Sequence, residues 1–361
     1  MCRERRYRVR AVGDGSTTRT VPIPQTLEEA LSPEWLTAAL GTRHPGIEVT
    51  AVAPGPVVSR ISTNARFRIE TAGALPDGLS PDLCVKGYYG ELGSQSKRAG
   101  LPEAGFYRDV AGDTGMRTLR AVYADVDFDT HDNVVVTEDV VAQGASFLDP
   151  LSPYGPDKVA LALEDLATLH AATWRWPTAT QPAWMASRLE SLRQMPIDVI
   201  RNNLEGDNGA ALPDGVRSAE RLTAAYDELM AEAKAGTWPV MHGDTHVGNV
   251  FVDAHGVPSF LDWQLVQRGP WYVDVGYHIG SALTVEERRR HEDDLVRHYL
   301  DRLAAGGGPS PDEAEVRHGI GRGYLHGFYL WGITRIVEPR IIAVLLERLG
   351  TAVDDRGALD T

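Results

Sequence analysis

Between Val240 and Gln264, short apolar runs are separated by a fixed set of oxygen-bearing side chains, and this pattern restricts the fold more than any other stretch. Val240-Met241 leads into His242-Gly-Asp244; Asn249 lies five residues beyond Asp244, and Asp262 thirteen beyond Asn249. Val250-Phe-Val252 reads as a short strand and Ser259-Phe-Leu261 as its returning partner. Between them, Asp253-Ala-His-Gly256 reads as a hairpin turn, with glycine where a positive φ is expected. Such a hairpin sets Asn249 and Asp262 side by side at its open end, where two oxygen ligands can share one ion. Phosphoryl transfer needs this order of groups. One carboxylate accepts the proton of an attacking hydroxyl; an amide oxygen and a second carboxylate hold the magnesium that neutralises nucleotide phosphates. The plainer alternative is a turn at His242-Gly-Asp244 and a solvated strand end at Asp262.

The spacing His242-x-Asp244-x-x-x-x-Asn249 matches the catalytic loop of protein kinases. With His246, and with Asp262-Trp263 downstream, it resembles the signature of the aminoglycoside phosphotransferase and choline kinase superfamily, small-molecule kinases with a protein-kinase-like fold. The resemblance runs over most of the chain, the two ends and a helical insert being generic. It implies an α+β, two-lobe architecture: an N-terminal antiparallel β-sheet lobe with one main helix over 1–140, and a larger helical catalytic and substrate-binding lobe over 141–361. It implies Asp244 as the catalytic base, Asn249 and Asp262 as Mg2+ ligands, and ATP, or alternatively GTP, as the donor. Asp274, in Trp271-Tyr-Val-Asp-Val275, matches a further family aspartate that braces the catalytic loop, and His242 is read as a second support. Gln264 stands where protein kinases carry the glycine of Asp-Phe-Gly, so a constitutively assembled site is expected rather than a glycine-hinged switch.

The first lobe supplies nucleotide contacts on this reading. Ala51 to Glu70 reads as two strands around Pro54-Gly-Pro56 and the polar stretch Ser59 to Asn64, and Leu83-Cys-Val-Lys-Gly-Tyr88 as the next strand. The chain has only four lysines, and Lys86 stands inside this apolar strand. A compact ammonium there suits nucleotide phosphates, although an edge-strand lysine with its head in water is the alternative. Its carboxylate brace is assigned to Glu103, at the start of a helix with Phe106, Tyr107 and Val110 on one face; Glu91 and Asp109 are rivals. No Gly-x-Gly-x-x-Gly loop occurs, so Ser59, Ser62 and backbone N–H groups are the candidates for the phosphates. Asn133-Val-Val-Val-Thr-Glu-Asp-Val-Val141 resembles the family's lobe-connecting strand, and backbone groups around Glu138 to Val140 are expected to take the adenine edge.

The second lobe reads as helical over Asp157–Trp174, Trp184–Leu204, Pro213–Ala235, Ser281–Ala304, Pro311–Val337 and Glu338–Val353. His170 reads as a core histidine with a satisfied hydrogen bond. Tyr324, Phe328 and Trp331 form an aromatic stripe of the kind that usually packs a core. Asp207, Asp214, Asp227, Glu228 and Glu232 either face an amine or line a solvated helix.

Composition narrows the partners. At 361 residues and 43% hydrophobic, the chain can build two packed lobes. A formal charge of −14 argues against a non-specific nucleic-acid binder. The two cysteines, Cys2 and Cys84, imply no disulfide framework, and a cytoplasmic setting is expected. No apolar run follows the charged residues Met1 to Arg10, and none reaches membrane-span length, so neither a leader nor a membrane partner is expected. The expected partner is a small hydroxylated acceptor such as an aminoglycoside-like antibiotic, an amino alcohol or a sugar, with the protein a monomer or homodimer. Antibiotic resistance is one role among several for such an activity. Two other classes compete. Asp129-Thr-His131 together with Gly243-Asp-x-His246 are fragments of a metal-dependent phosphoesterase, which lacks here its Asn-His pair, and a catalytically silent kinase-fold scaffold would keep the fold without turnover.

Overall fold

A computed structural model describes residues 21–177 and 181–360; Cys2 and the charged Met1–Arg10 stretch lie outside them. Helix α1 (Pro33–Gly41), capped by the Ser32 hydroxyl, precedes the strands β1 (Val49–Ser59), β2 (Thr63–Thr71) and β3 (Asp82–Gly87). Helix α2 (Leu101–Asp109) follows, then β4 (Ala121–Val126) and β5 (Asn133–Glu138). The five strands form one antiparallel sheet in the order β1-β2-β3-β5-β4. Alternation along the strands feeds two cores. Phe67, Ile69, Val85, Val134 and Val136 pack with Leu36 and Leu40 of α1 on one face. Val135 and Ala124 turn to the other face, joining Phe106 and Tyr107 of α2 and the core of the second lobe. All six residues of β5 are therefore buried.

Pro54-Gly-Pro56 does not separate two strands, as the sequence suggested. It sits inside β1 at a register shift against β2, on the sheet edge, where prolines lose no ladder bond and a bulge is tolerated. Strand β4 and helix α1 were not anticipated.

The second lobe begins with α3 (Pro156–Thr173). The insert is more broken than two long helices: α4 (Leu189–Arg193), α5 (Ile197–Glu205), short 3-10 turns, then α6 (Ala219–Ala235). Pro196 accounts for the first break and the Ser218 cap for the start of α6. Short strand pairs carry the loop between Val240 and Arg268. β7 (Val240–Met241) pairs with β10 (Gln267–Arg268), while β6 (Ser146–Phe147), β8 (Val250–Val252) and β9 (Pro258–Phe260) form a three-stranded sheet.

Four helices close the lobe: α7 (Trp271–Ala282), α8 (Val285–Ala305), α9 (Glu313–Gly332) and α10 (Pro339–Asp355). The helix expected from Ser281 starts only at Val285, behind a Thr284–Glu287 capping box, because Ser281 still belongs to α7. Helix α9 ends at Gly332, which leaves Ile333–Glu338 as a connection to α10. The result is the α+β, protein-kinase-like two-lobe fold expected from the sequence, with α1 as an additional helix in the first lobe. Among the described residues no helix is long and apolar enough to cross a membrane.

Candidate active site

The β8–β9 hairpin forms as its sequence suggests. Val250 pairs with Phe260, Gly256 adopts φ +79°, and Leu261 donates its N–H to the Asn249 carbonyl 3.0 Å away. Asn249 and Asp262 therefore flank the open end. Asp262 takes a left-handed backbone (φ 63°), a conformation that costs a non-glycine residue about 1 kcal/mol and needs support from its neighbours. Trp263 gives that support. Its ring stacks on Phe106 of α2 at 3.7 Å, and its indole N–H donates to Thr118 Oγ1 at 3.0 Å. Gln264, in the position of the expected hinge, donates instead to the Tyr88 hydroxyl at 3.0 Å.

The loop before the hairpin is held from beneath by Asp274 on α7. Its fully buried carboxylate accepts the N–H groups of His242 at 2.7 Å and Gly243 at 2.8 Å, and faces His170 Nε2 at 3.2 Å. Burial works against its charge, but His170, His242 and the Gly243 N–H outweigh burial and hold the carboxyl below the usual carboxylate range. His170 is a satisfied core histidine, its other nitrogen 2.8 Å from the Tyr299 hydroxyl. His242 has a defined tautomer: Nε2–H donates to the Leu261 carbonyl at 2.9 Å, and Nδ1 accepts the Asp244 N–H at 3.1 Å. It ties the loop to the end of the hairpin.

Asp244 thus projects upward with both oxygens engaged. Asn249 Nδ2 donates to Oδ2 at 3.0 Å, and the Tyr277 hydroxyl donates to Oδ1 at 3.1 Å. Because Asn249 uses its nitrogen on Asp244, its amide oxygen remains for a cation. Lys86 on β3 sits 2.6 Å from Glu103 Oε2 and 3.3 Å from Asp262 Oδ1, so the two lobes meet through this ammonium. Burial opposes its charge, yet Glu103 and Asp262 outweigh burial and raise its pKa above the ordinary lysine value. Glu103 is only 4% exposed; burial raises its pKa and Lys86 opposes the rise. Its rivals are placed elsewhere: Asp109 binds Arg108, and Glu91 is exposed on a short helix.

Other sequence candidates stand apart from this cluster. Ser59 ends β1 with its hydroxyl 3.2 Å from that of Thr63. The Glu138 side chain is taken by Arg120 and Gln143, and the Val140 carbonyl by the N–H groups of Gln143 and Ala145. Asp129 and His131 lie in the β4–β5 turn, and among the described residues no group of three or more His, Cys, Asp or Glu is placed to hold a metal. The pair therefore lacks the partners of a dinuclear centre. Cys84 is a free thiol whose pKa burial pushes up to about 12, which leaves it inert.

Tyr277 was missed by sequence reasoning, and His326, noticeable beside the aromatic stripe, was not expected at the loop. His326 on α9 reaches the Gly243 carbonyl at 2.9 Å. Tyr277 lies one helical turn beyond Asp274, a spacing that would have exposed it had Trp271–Ala282 read as a helix. Asp244 also lines a cleft of about 490 Å³, to which Lys86 does not contribute. His246, Tyr277 and Trp331 line it with apolar Leu192, Met195 and Leu330. Of the aromatic stripe, Tyr324 and Phe328 are core, and Trp331 alone reaches this cleft. The acids of the insert and α6 give it little charge: Asp227 is bound by Arg193, and Glu228 and Glu232 by Arg322.

No curated protein sequence matches the chain. Solved structures overlay it loosely. An aminoglycoside 2′-phosphotransferase-IIIa in its GDP complex is 15% identical over 90% of this chain and 99% of its own, with a TM-score of 0.48. An ethanolamine kinase from Plasmodium vivax is 12% identical over 83% and 81%, at 0.47. A macrolide 2′-phosphotransferase from Brachybacterium faecium is 18% identical over 89% and 98%, at 0.45. The sequence profile of the ecdysteroid kinase-like family matches residues 103–306, more than half of the chain, from the carboxylate that meets Lys86 through the whole Asp244–Asp274 segment. The chain belongs to the ecdysteroid kinase-like family, within the superfamily of small-molecule phosphotransferases.

Proposed function

We propose that this protein transfers the γ-phosphoryl group of a nucleoside triphosphate, ATP or GTP, to a hydroxyl of a small and largely apolar acceptor. The observation that carries the reading is the convergence of Lys86, Asp244, Asn249 and Asp262, from both lobes, with Asp244 also lining the cleft. Asp244 orients the acceptor hydroxyl and takes its proton. As the acceptor oxygen bonds to the γ-phosphorus, the bridging P–O bond breaks and the nucleoside diphosphate leaves. Lys86, held by Glu103, meets the phosphates; His242 and Asp274 keep the loop in place.

The donor set suits Mg2+: one amide oxygen on Asn249 and one carboxylate on Asp262 are hard ligands, and magnesium keeps waters and phosphate oxygens for its other positions. Bound there, the ion would neutralise charge on the phosphates. Backbone groups near Glu138–Val140 serve the nucleotide base, with the Val140 N–H free of partners among the described residues, and Ser59 serves the phosphates. The lobe boundary is set after Val140, where the chain turns out of β5.

The apolar cleft favours a hydrophobic hydroxylated acceptor over a polycationic one, since the nearby acids are already bound by arginine. Replacing Asp244 by Asn should lower transfer by roughly 10²–10⁴-fold while Mg2+–nucleotide affinity stays within about threefold. Calorimetric nucleotide binding alongside radiolabelled transfer separates the two, and full activity in Asp244→Asn would refute the assignment. A silent scaffold would bind nucleotide and transfer nothing in either form.

A further inference from the structure

Resting on that reading, the shape and charge of the cleft narrow the acceptor further. Its floor is Asp244 with Tyr277 and its walls are apolar. Its far rim is the connection Ile333–Glu338 between α9 and α10, which contributes Ile333, Thr334, Arg335 and Ile336. This rim is anchored: Asn203 Nδ2 on α5 donates to the carbonyls of Gly332 at 2.9 Å and Thr334 at 2.8 Å, and Thr334 Oγ1 donates to the Leu330 carbonyl at 2.8 Å.

Two charged side chains line the cleft, Asp244 from the loop before the hairpin and Arg335 from the connection between α9 and α10. Arg335 has no carboxylate partner among the described residues. Elsewhere in the lobe, Arg193 is bound to Asp227, and Arg322 to Glu228 and Glu232. Arg335 carries the one guanidinium among the described residues that line the cleft. Beside it, Ile336 is 93% exposed, an apolar surface continuous with the cleft wall.

We infer that the acceptor carries an anionic group that docks on Arg335, separated from the reacting hydroxyl by an apolar body. The guanidinium presents a planar fork of donors that matches a carboxylate in two bonds. Phosphate or sulfate would be met by the same geometry. The hydroxyls of Thr334 and Ser191 donate to the Leu330 and Arg188 carbonyls, so the guanidinium is the donor group this end of the cleft offers.

The test uses the full chain with Mg2+–ATP and three acceptors of equal length: 10-hydroxydecanoic acid, 1-decanol and 10-amino-1-decanol. The expected order of kcat/KM is acid, alcohol, amine, with the acid ahead of the alcohol by about tenfold at low salt and by less as ionic strength rises. Arg335→Ala should shrink the acid-to-alcohol ratio to within about twofold, and Arg335→Glu should place the amine ahead of the acid. Equal rates on acid and alcohol in the wild type, or an acid preference that survives Arg335→Ala, would overturn the assignment of Arg335 and leave the kinase reading standing. Failure of all three acceptors, with Mg2+–ATP still bound, would overturn the apolar-acceptor reading and this inference with it.

Discussion

At the level of single residues, the base proposed at Asp244 depends on where it is held. A carboxylate on a loop has two rotatable bonds to lose, and here both its oxygens are fixed, one by Asn249 from the hairpin and one by Tyr277 from α7. The Tyr277 hydroxyl touches the carboxylate and neither of the proposed cation ligands, so on the proposed mechanism its loss should loosen the base and spare nucleotide binding. Tyr277→Phe removes one oxygen atom from a fully buried ring and leaves the packing intact. The expected result is a drop in kcat of about tenfold, the order of one misoriented hydrogen bond, with nucleotide affinity unchanged. Steady-state kinetics beside calorimetric binding would read both, and a matching loss of nucleotide affinity would show that Tyr277 acts on the whole site. Lys86→Ala should show the opposite bias, weakening nucleotide binding and stranding Glu103 as a buried carboxylate without its cation.

Among elements, the crossing of α7 and α9 decides whether Asp274 and Tyr277 reach the loop at all. The helices touch backbone to backbone at Gly276 and Gly323: a Cβ on Gly276 would stand 2.8 Å from Gly323 Cα, and one on Gly323 would drive into the Tyr272 carbonyl. Gly323→Ala gains roughly 1 kcal/mol of helix propensity but overpacks against rigid backbone, at a cost of about 1–3 kcal/mol or more. Overpacking should win, with a lower melting temperature and a lower kcat in the folded fraction because α7 is displaced. Gly321→Ala, two residues away on the same helix, meets only Ala358 and Arg356 side-chain carbons at 3.5–3.6 Å and should be neutral or stabilising. A scanning-calorimetry pair would test the sign of both.

This crossing also marks where the sequence was hard to read. Helix α7 is buried on every side, so it offers no polar stripe for a period of 3.6 to show against, and Tyr277 went unseen with it. The hairpin was legible because its signal is local: two short, mostly apolar strands, a glycine at positive φ, and carboxylate and amide at its ends. Lys86 and Glu103 were legible by residue type, since charge in an apolar strand or on a helix buried against the sheet needs a partner. The second contact of Lys86, with Asp262, is set by how the lobes close, which spacing alone does not encode.

For the molecule as a whole, His278, His246 and His326 pack around the loop before the hairpin and resist protonation, and that arrangement sets how the fold responds to acid. His278 on α7 donates from Nδ1 to the Thr245 carbonyl at 2.7 Å, while its Nε2 is buried without a partner between Phe260 and Tyr154. Burial pushes its pKa from 6.5 down to about 4, and burial likewise lowers His246 and His326. Unfolded, His278 takes up its proton near pH 6.5; folded, it resists until about pH 4. Within that window the unfolded state binds more protons, so stability is full above pH 6.5 and falls as the pH drops towards 4. The integrated loss for this one group is about 3 kcal/mol, of which about 2 kcal/mol falls between pH 7 and pH 5. His278→Asn keeps an N–H donor for the Thr245 carbonyl and removes the titration. The variant should be less stable than the wild type at pH 7 because it leaves a cavity, yet lose about 2 kcal/mol less on going to pH 5. Urea unfolding of both proteins at the two pH values measures that difference. Parallel losses would mean that His278 carries its proton in the folded protein at pH 5, and that the loop tolerates a charge beneath it.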